Sequence, residues 1–106
     1  MEKGECFVKV GTVNKKRKMT NKKRVLILTD TPRLFYVDPK DNTLKGTIEL
    51  DKDTQVQLTN GVGKGFRVTV PGRTFKLEDT QDNNAMDWLE KIKNAILKVK
   101  KSTEKN

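Results

Sequence analysis

Through its first two-thirds the chain places apolar residues in short runs, mostly at every second position, broken by Asp, Asn, Pro and Gly. That period predicts β-strands. The stretches are 6–13, 22–29, 34–37, 43–50, 54–58, 66–70 and 73–78, seven in all. Val25-Leu26-Ile27-Leu28 is a continuous apolar run, and Leu44, Ile48 and Leu50 share one parity. The polar segment from Asn14 to Asn21 reads as a loop, as do Asp38-Pro39-Lys40-Asp41-Asn42 and the three-glycine segment 60–65. Pro71-Gly72 suits a tight turn with proline second and glycine third.

The period then changes. Ala85, Trp88, Leu89, Ile92, Ala95, Ile96 and Val99 follow each other at intervals of three and one, which makes a single apolar stripe on a helix over 82–100. Asp82 or Asn83 would cap its start, with residues 101–106 a frayed tail. Seven short strands and one amphipathic helix imply one mainly-β domain spanning 1–106, a sandwich or partly open barrel with the helix and its Trp88 stripe over one end. The other end stays open.

Composition removes several kinds of chemistry. With no histidine and a single cysteine, Cys6, the chain has no disulfide framework, no Cys-rich zinc site and no His-based catalysis. Cys6 reads as a small strand hydrophobe, and the cysteine usage fits a reducing, cytosolic compartment. No apolar stretch reaches the ~20 residues of a membrane-spanning helix, and Met1-Glu2-Lys3-Gly4-Glu5 does not read as a signal peptide. No kinase signature motif is present, so no catalysis is expected of this chain, and no cofactor.

Charge is the remaining signal. The 106 residues carry 23 Lys and Arg against 14 Asp and Glu, a formal +9. From Lys9 to Arg24 stand eight basic residues and no acidic one, which leaves the rest of the chain at only +1. Such concentration points to an anion as partner. On a strand, Lys22 and Arg24 share a face with Leu26 and Leu28. If the leucines point into the barrel, the two cations stand at its rim, opposite Lys15, Lys16, Arg17 and Lys18, and a multiply phosphorylated ligand would relieve their repulsion. A solvated charged face and a general polyanion patch, nucleic acid included, are the competing readings. Tyr36 could pack or could touch ligand, whereas Trp88 belongs to the core stripe.

The order Gly11-x-Val13-x-Lys15, then Lys22-x-Arg24 on the second strand, then Tyr36 on the third, resembles the phosphoinositide-binding pleckstrin-homology (PH) domains. Longer runs are similar to the PH domains of phosphoinositide-dependent protein kinases: 9–18, 22–29, Leu34-Phe35-Tyr36-Val37-Asp38-Pro39, Leu44-Lys45-Gly46 and Arg73-Thr74-Phe75. The resemblance implies that Lys15, Arg17, Lys22, Arg24 and Lys45 contact inositol phosphates, with Tyr36 as hydroxyl donor and Arg73 and Lys16 as lesser contacts. It further implies a non-catalytic module of a serine/threonine kinase. That module would bind PtdIns(3,4,5)P3 and PtdIns(3,4)P2 and move from cytoplasm to the inner face of the plasma membrane. Surplus loop lysines would add attraction to the anionic leaflet, and Met19 could dip into the interface. A nucleic-acid barrel would need exposed aromatics, but Phe7, Phe35, Phe66, Phe75 and Trp88 fit core positions. A PH-like protein-interaction scaffold is the third reading.

Overall fold

The computed structural model describes residues 5–16, 20–59, 65–79 and 85–104. Seven strands are followed by one helix: β1 (Phe7–Lys16), β2 (Asn21–Thr29), β3 (Arg33–Val37), β4 (Leu44–Glu49), β5 (Gln55–Thr59), β6 (Gly65–Val70), β7 (Arg73–Asp79) and α1 (Ala85–Glu104). All neighbouring strands pair antiparallel in one sheet, ordered β4-β3-β2-β1-β7-β6-β5. Laid flat at ~4.8 Å per strand, such a sheet would be roughly 30 Å wide. Yet Ile48 on one edge strand and Val56 on the other belong to a single buried cluster with Val13, Leu26, Phe66 and Leu77. The sheet must therefore curl into a partly open barrel, with β4 and β5 as its unjoined edges.

The helix covers this core, packing against β5, β6 and β1. Trp88 is 1% exposed and stacks on Phe66 at 6.0 Å between ring centroids. Ala85, Leu89, Ile92, Ala95 and Ile96 are buried beside it, as the stripe requires. Lys9 fastens the helix from β1: its Nζ lies 2.7 Å from Asp87 Oδ2 and 4.9 Å from the Trp88 ring centroid. Beyond the opposite ends of β2 and β3, the buried Glu5 carboxylate accepts both Arg33 Nε–H (2.9 Å) and Nη2–H (2.8 Å), with the Thr29 and Thr31 hydroxyls donating to it as well.

Several boundaries differ from the sequence reading. Asn14, Lys15 and Lys16 continue β1 rather than opening a loop, because each pairs on both sides: with Lys23, Lys22 and Asn21 of β2, and with Glu78, Leu77 and Lys76 of β7. Two partners override the polar composition. Leu44 is 54% exposed although Ile48 and Leu50 are buried, since the register slips at Tyr36/Val37 and leaves Lys45 as the extra residue of a bulge. Cys6 lies just before β1 and is exposed, its N–H donating to Asp30 Oδ1 at 2.9 Å. The helix continues to Glu104, past the expected fraying point. The proposed caps Asp82 and Asn83 lie outside the described residues. Gly72 has φ +83°, as the third position of the predicted turn demands.

Candidate functional site: a cationic mouth at the end of the sheet

The end of β1, the start of β2, the β3–β4 turn and the β6–β7 turn gather at one end of the barrel. Register decides which basic side chains look inward there. Val13 pairs with Arg24 and Lys15 with Lys22, while Leu26 pairs with Tyr36 and Lys15 with Leu77. Val13, Leu26 and Leu77 are core, so Lys15, Lys22, Arg24 and Tyr36 share the inner face. Lys23, paired with Asn14, takes the opposite parity.

Two groups form the mouth. In the first, Lys15 is 5% exposed, with its Nζ 4.3 Å from the Tyr36 ring centroid and 5.7 Å from that of Phe75. Arg73 lies over Phe75 as well, its guanidinium carbon 4.4 Å from the centroid. Aromatic faces thus carry two cations. Tyr36 is pressed against Gly46: a Cβ there would lie 2.1 Å from the Tyr36 hydroxyl oxygen. Only glycine leaves room for the ring.

The second group surrounds a depression of about 520 Å³ lined by Lys22, Lys23, Arg24, Asp38, Lys40 and Lys45, with Asn21 and Pro39 completing it. The β3–β4 turn fixes its far wall. Asp38 Oδ1 accepts the Lys40 N–H at 2.9 Å, the Asn42 N–H donates to the Asp38 carbonyl at 2.8 Å, and Asn42 takes φ +58°. Hydrogen bonds from Thr43, aided by the charge of Lys45, hold the Asp41 carboxyl below its ordinary value. Arg24 donates from Nη1 to the Lys23 carbonyl at 2.9 Å, and the same nitrogen lies 3.8 Å from Asp38 Oδ2. Its Nε is buried and has no hydrogen-bond partner. A buried guanidinium N–H among four lysines is a standing demand for an oxyanion.

Of the residues singled out from sequence, the structure gathers Lys22, Arg24 and Lys45 around the depression and Lys15, Tyr36 and Arg73 around Phe75. Lys16 is not among them. Next to Lys15 on a strand it must point the other way, where it pairs with Glu78 at 3.0 Å. Arg17, Lys18 and Met19 lie outside the described residues. Sequence reading passed over Asp38 and Lys40, seen only as turn residues, and Phe75, taken for plain core. The Lys15 and Lys22-x-Arg24 spacing holds no trace of them; the Asp38-Pro39-Lys40 turn that ends the third strand was the available hint.

Comparison with known proteins agrees with this geometry. Residues 1–101 match the family model described as PH domain. The probable serine/threonine-protein kinase pdkA of Dictyostelium discoideum is 39% identical over 97 residues, covering 92% of this chain. Human 3-phosphoinositide-dependent protein kinase 1 is 37% identical over 86 residues, or 81% of the chain. The chain spans only 14% and 15% of these two kinases. The matched part is a PH domain and not the catalytic part. Among solved structures, the carboxyl-terminal PH domain of pleckstrin superposes with a TM-score of 0.72 at 24% identity, covering 85% of this chain and 97% of that one. The same domain in complex with D-myo-Ins(1,2,3,4,5)P5 gives a TM-score of 0.73 at 24% identity, over 86% of this chain and 99% of that one. The curled sheet, the capping helix and the family match agree: this chain belongs to the PH domain family.

Proposed function

We propose that this PH domain binds phosphoinositide headgroups, with 3-phosphorylated lipids (PtdIns(3,4,5)P3 and PtdIns(3,4)P2) as its targets. By doing so it would bring a longer serine/threonine protein kinase to the inner face of the plasma membrane. The observation that carries this reading is the inner-face set Lys15, Lys22 and Arg24, whose Arg24 Nε is buried without an acceptor at the rim of a depression walled by lysines. A ring of phosphates presents several charges at fixed spacing. Arg24 would take one as a fork and the ammoniums would take others as point charges. The similarity to 3-phosphoinositide-dependent kinases and the inositol pentakisphosphate complex of the pleckstrin domain support the ligand class. Arg17, whose charge adjoins this set in sequence, is assigned to the same headgroup, and Tyr36 is assigned a hydroxyl contact.

Calorimetry with soluble inositol 1,3,4,5-tetrakisphosphate tests the assignment. A charge-assisted hydrogen bond contributes about 1.5–3 kcal/mol, so Arg24→Ala should weaken binding roughly ten- to a hundredfold. Lys23→Ala, whose ammonium has outer parity, should cost far less, and less again as salt rises. Equal losses for the two variants would replace the clamp by a diffuse polyanion patch. Vesicles matched in net charge but differing in phosphoinositide isomer then separate the 3-phosphorylated targets from the rest.

A further inference from the structure

Asp38 is the one carboxylate among the described residues lining the depression, and it stands against Lys22, Lys23, Arg24, Lys40 and Lys45. A wall that held anions by charge alone would be stronger without it. The turn does not need the charge either. Asp38 Oδ1 accepts the Lys40 N–H at 2.9 Å, and an asparagine oxygen closes the same kind of turn. The second oxygen is uncommitted. Among the described residues Oδ2 accepts no hydrogen bond, and Arg24 Nη1 lies 3.8 Å from it, beyond hydrogen-bond reach. One free acceptor, fixed in place by the turn, thus borders the depression beside the Arg24 Nε that itself has no acceptor.

The two groups take different things from a ring that carries both phosphates and hydroxyls. A guanidinium only donates, so it suits a phosphate. A carboxylate only accepts, so it suits a hydroxyl and repels a phosphate. Standing 3.8 Å apart, the two fit neighbouring ring positions, phosphate on one and hydroxyl on the next. We propose that Asp38 determines the specificity of the mouth: its Oδ2 accepts a free ring hydroxyl beside the phosphate taken by Arg24, and excludes a phosphate from that place. This role rests on the headgroup reading of the mouth and adds a requirement to it, that the ring keep an unphosphorylated position. PtdIns(3,4,5)P3 and PtdIns(3,4)P2 both keep their 2- and 6-hydroxyls, whereas inositol hexakisphosphate has no hydroxyl left. The carboxylate therefore lowers affinity for the most highly charged rings and raises discrimination among them.

Calorimetry on the whole chain with inositol 1,3,4,5-tetrakisphosphate and with inositol hexakisphosphate tests this role, while the backbone amides of Lys22 and Arg24 are followed by NMR to place each ligand. Asp38→Asn keeps the oxygen that accepts the Lys40 N–H and puts an NH2 donor where Oδ2 stood, so the preference should turn from hydroxyl to phosphate. The ratio of hexakisphosphate affinity to tetrakisphosphate affinity should rise at least about tenfold. Asp53→Asn makes the same change of net charge in the exposed β4–β5 turn, outside the lining of the depression, and should move that ratio by less than about twofold. Asp38→Ser closes the turn through its hydroxyl without the charge and should also raise the ratio, so the test survives if the asparagine variant fails to fold. A ratio unchanged in both Asp38 variants, or raised as much by Asp53→Asn, would overturn the role of Asp38 and leave the mouth standing. Amides at Lys22 and Arg24 that stay still with both ligands would overturn the mouth itself, and the role of Asp38 with it.

Discussion

Replacing Gly46 by alanine tests how tightly the mouth is built. The new Cβ would stand 2.1 Å from the Tyr36 hydroxyl oxygen and 2.2 Å from Cζ. Non-bonded heavy atoms settle at about 3.5–4.0 Å, so the ring must move by more than about 1 Å. It has little room to do so. Tyr36 is 7% exposed, its ring lies 6.1 Å from that of Phe75, and Lys15 Nζ sits 4.3 Å from its centroid. Gly72 is the one described glycine with a positive φ, so alanine at 46 meets no backbone strain and gains about 0.4–1 kcal/mol through the unfolded chain. Overpacking costs about 1–3 kcal/mol, and so large a displacement belongs near the top of that range. The net loss is about 2 kcal/mol, or roughly 8–16 °C in Tm for a domain of this size. Because Lys15 rides on the displaced ring, tetrakisphosphate affinity should fall with it. Thermal unfolding followed by circular dichroism, with calorimetry on the same sample, reads both. Adding Tyr36→Ala to Gly46→Ala should cost less than the two separate losses combined. A Gly46→Ala protein that melts and binds like wild type would refute the close approach and the role given to Tyr36.

Other perturbations probe the scaffold. Trp88→Ala removes a 1%-exposed side chain stacked on Phe66 and should cost about 3–5 kcal/mol, read as a large drop in melting temperature; an unchanged melt would mean that the helix is not docked through it. Glu5→Ala leaves the Arg33 guanidinium without its fully buried partner and should cost about 3–5 kcal/mol by urea unfolding, with the mouth's anion affinity unchanged in the folded fraction. Asp87 is held below the ordinary carboxylate value, first by its hydrogen bond from Lys9 and then by the charges of Lys9 and Lys91. Its contribution is therefore present above the unfolded value near ~3.9 and disappears as pH falls through the lower folded value. Asp87→Asn should accordingly melt below wild type at neutral pH, by less than about 1 kcal/mol, with the two curves converging in acid; a gap that persisted there would contradict the ion pair.

The elements were legible where periodicity is local. Alternation and short apolar runs located the seven strands, and the three–one spacing located the helix, because burial constrains each residue through its near neighbours. What the sequence could not show depends on pairing at long range. Asn14, Lys15 and Lys16 look like loop, and they are strand because β2 and β7 grip them from both sides. Leu44 looks like core, but the bulge opposite Val37 turns it out and leaves Lys45 unpaired beside the depression. Simple parity would have set Lys45 apart from Tyr36 and Gly46. The inward pair Lys22 and Arg24 was readable from spacing and Lys15 came from the family resemblance, whereas their supports, Phe75 and the Asp38 turn, come from distant segments that only the curled sheet brings near.

Strand geometry also explains how so basic a run is tolerated. A loop would leave its cations to spread into solvent, but a strand assigns each a fixed direction. Lys9 goes to Asp87 and Trp88, Lys16 to Glu78, Lys15 to the faces of Tyr36 and Phe75, and Arg24 to the Lys23 carbonyl. Of these, the first two are close ion pairs, and they lie away from the inner mouth. Around Arg24 the compensation is weaker: a carbonyl, and a carboxylate at 3.8 Å. Such contacts hold the side chains in place against mutual repulsion, and a phosphate gives up little by displacing them. The Arg24 Nε, left without a partner, marks where that compensation ends. An anion arriving there would have most to gain, because the cation is already desolvated and the ligand would supply only the missing acceptor.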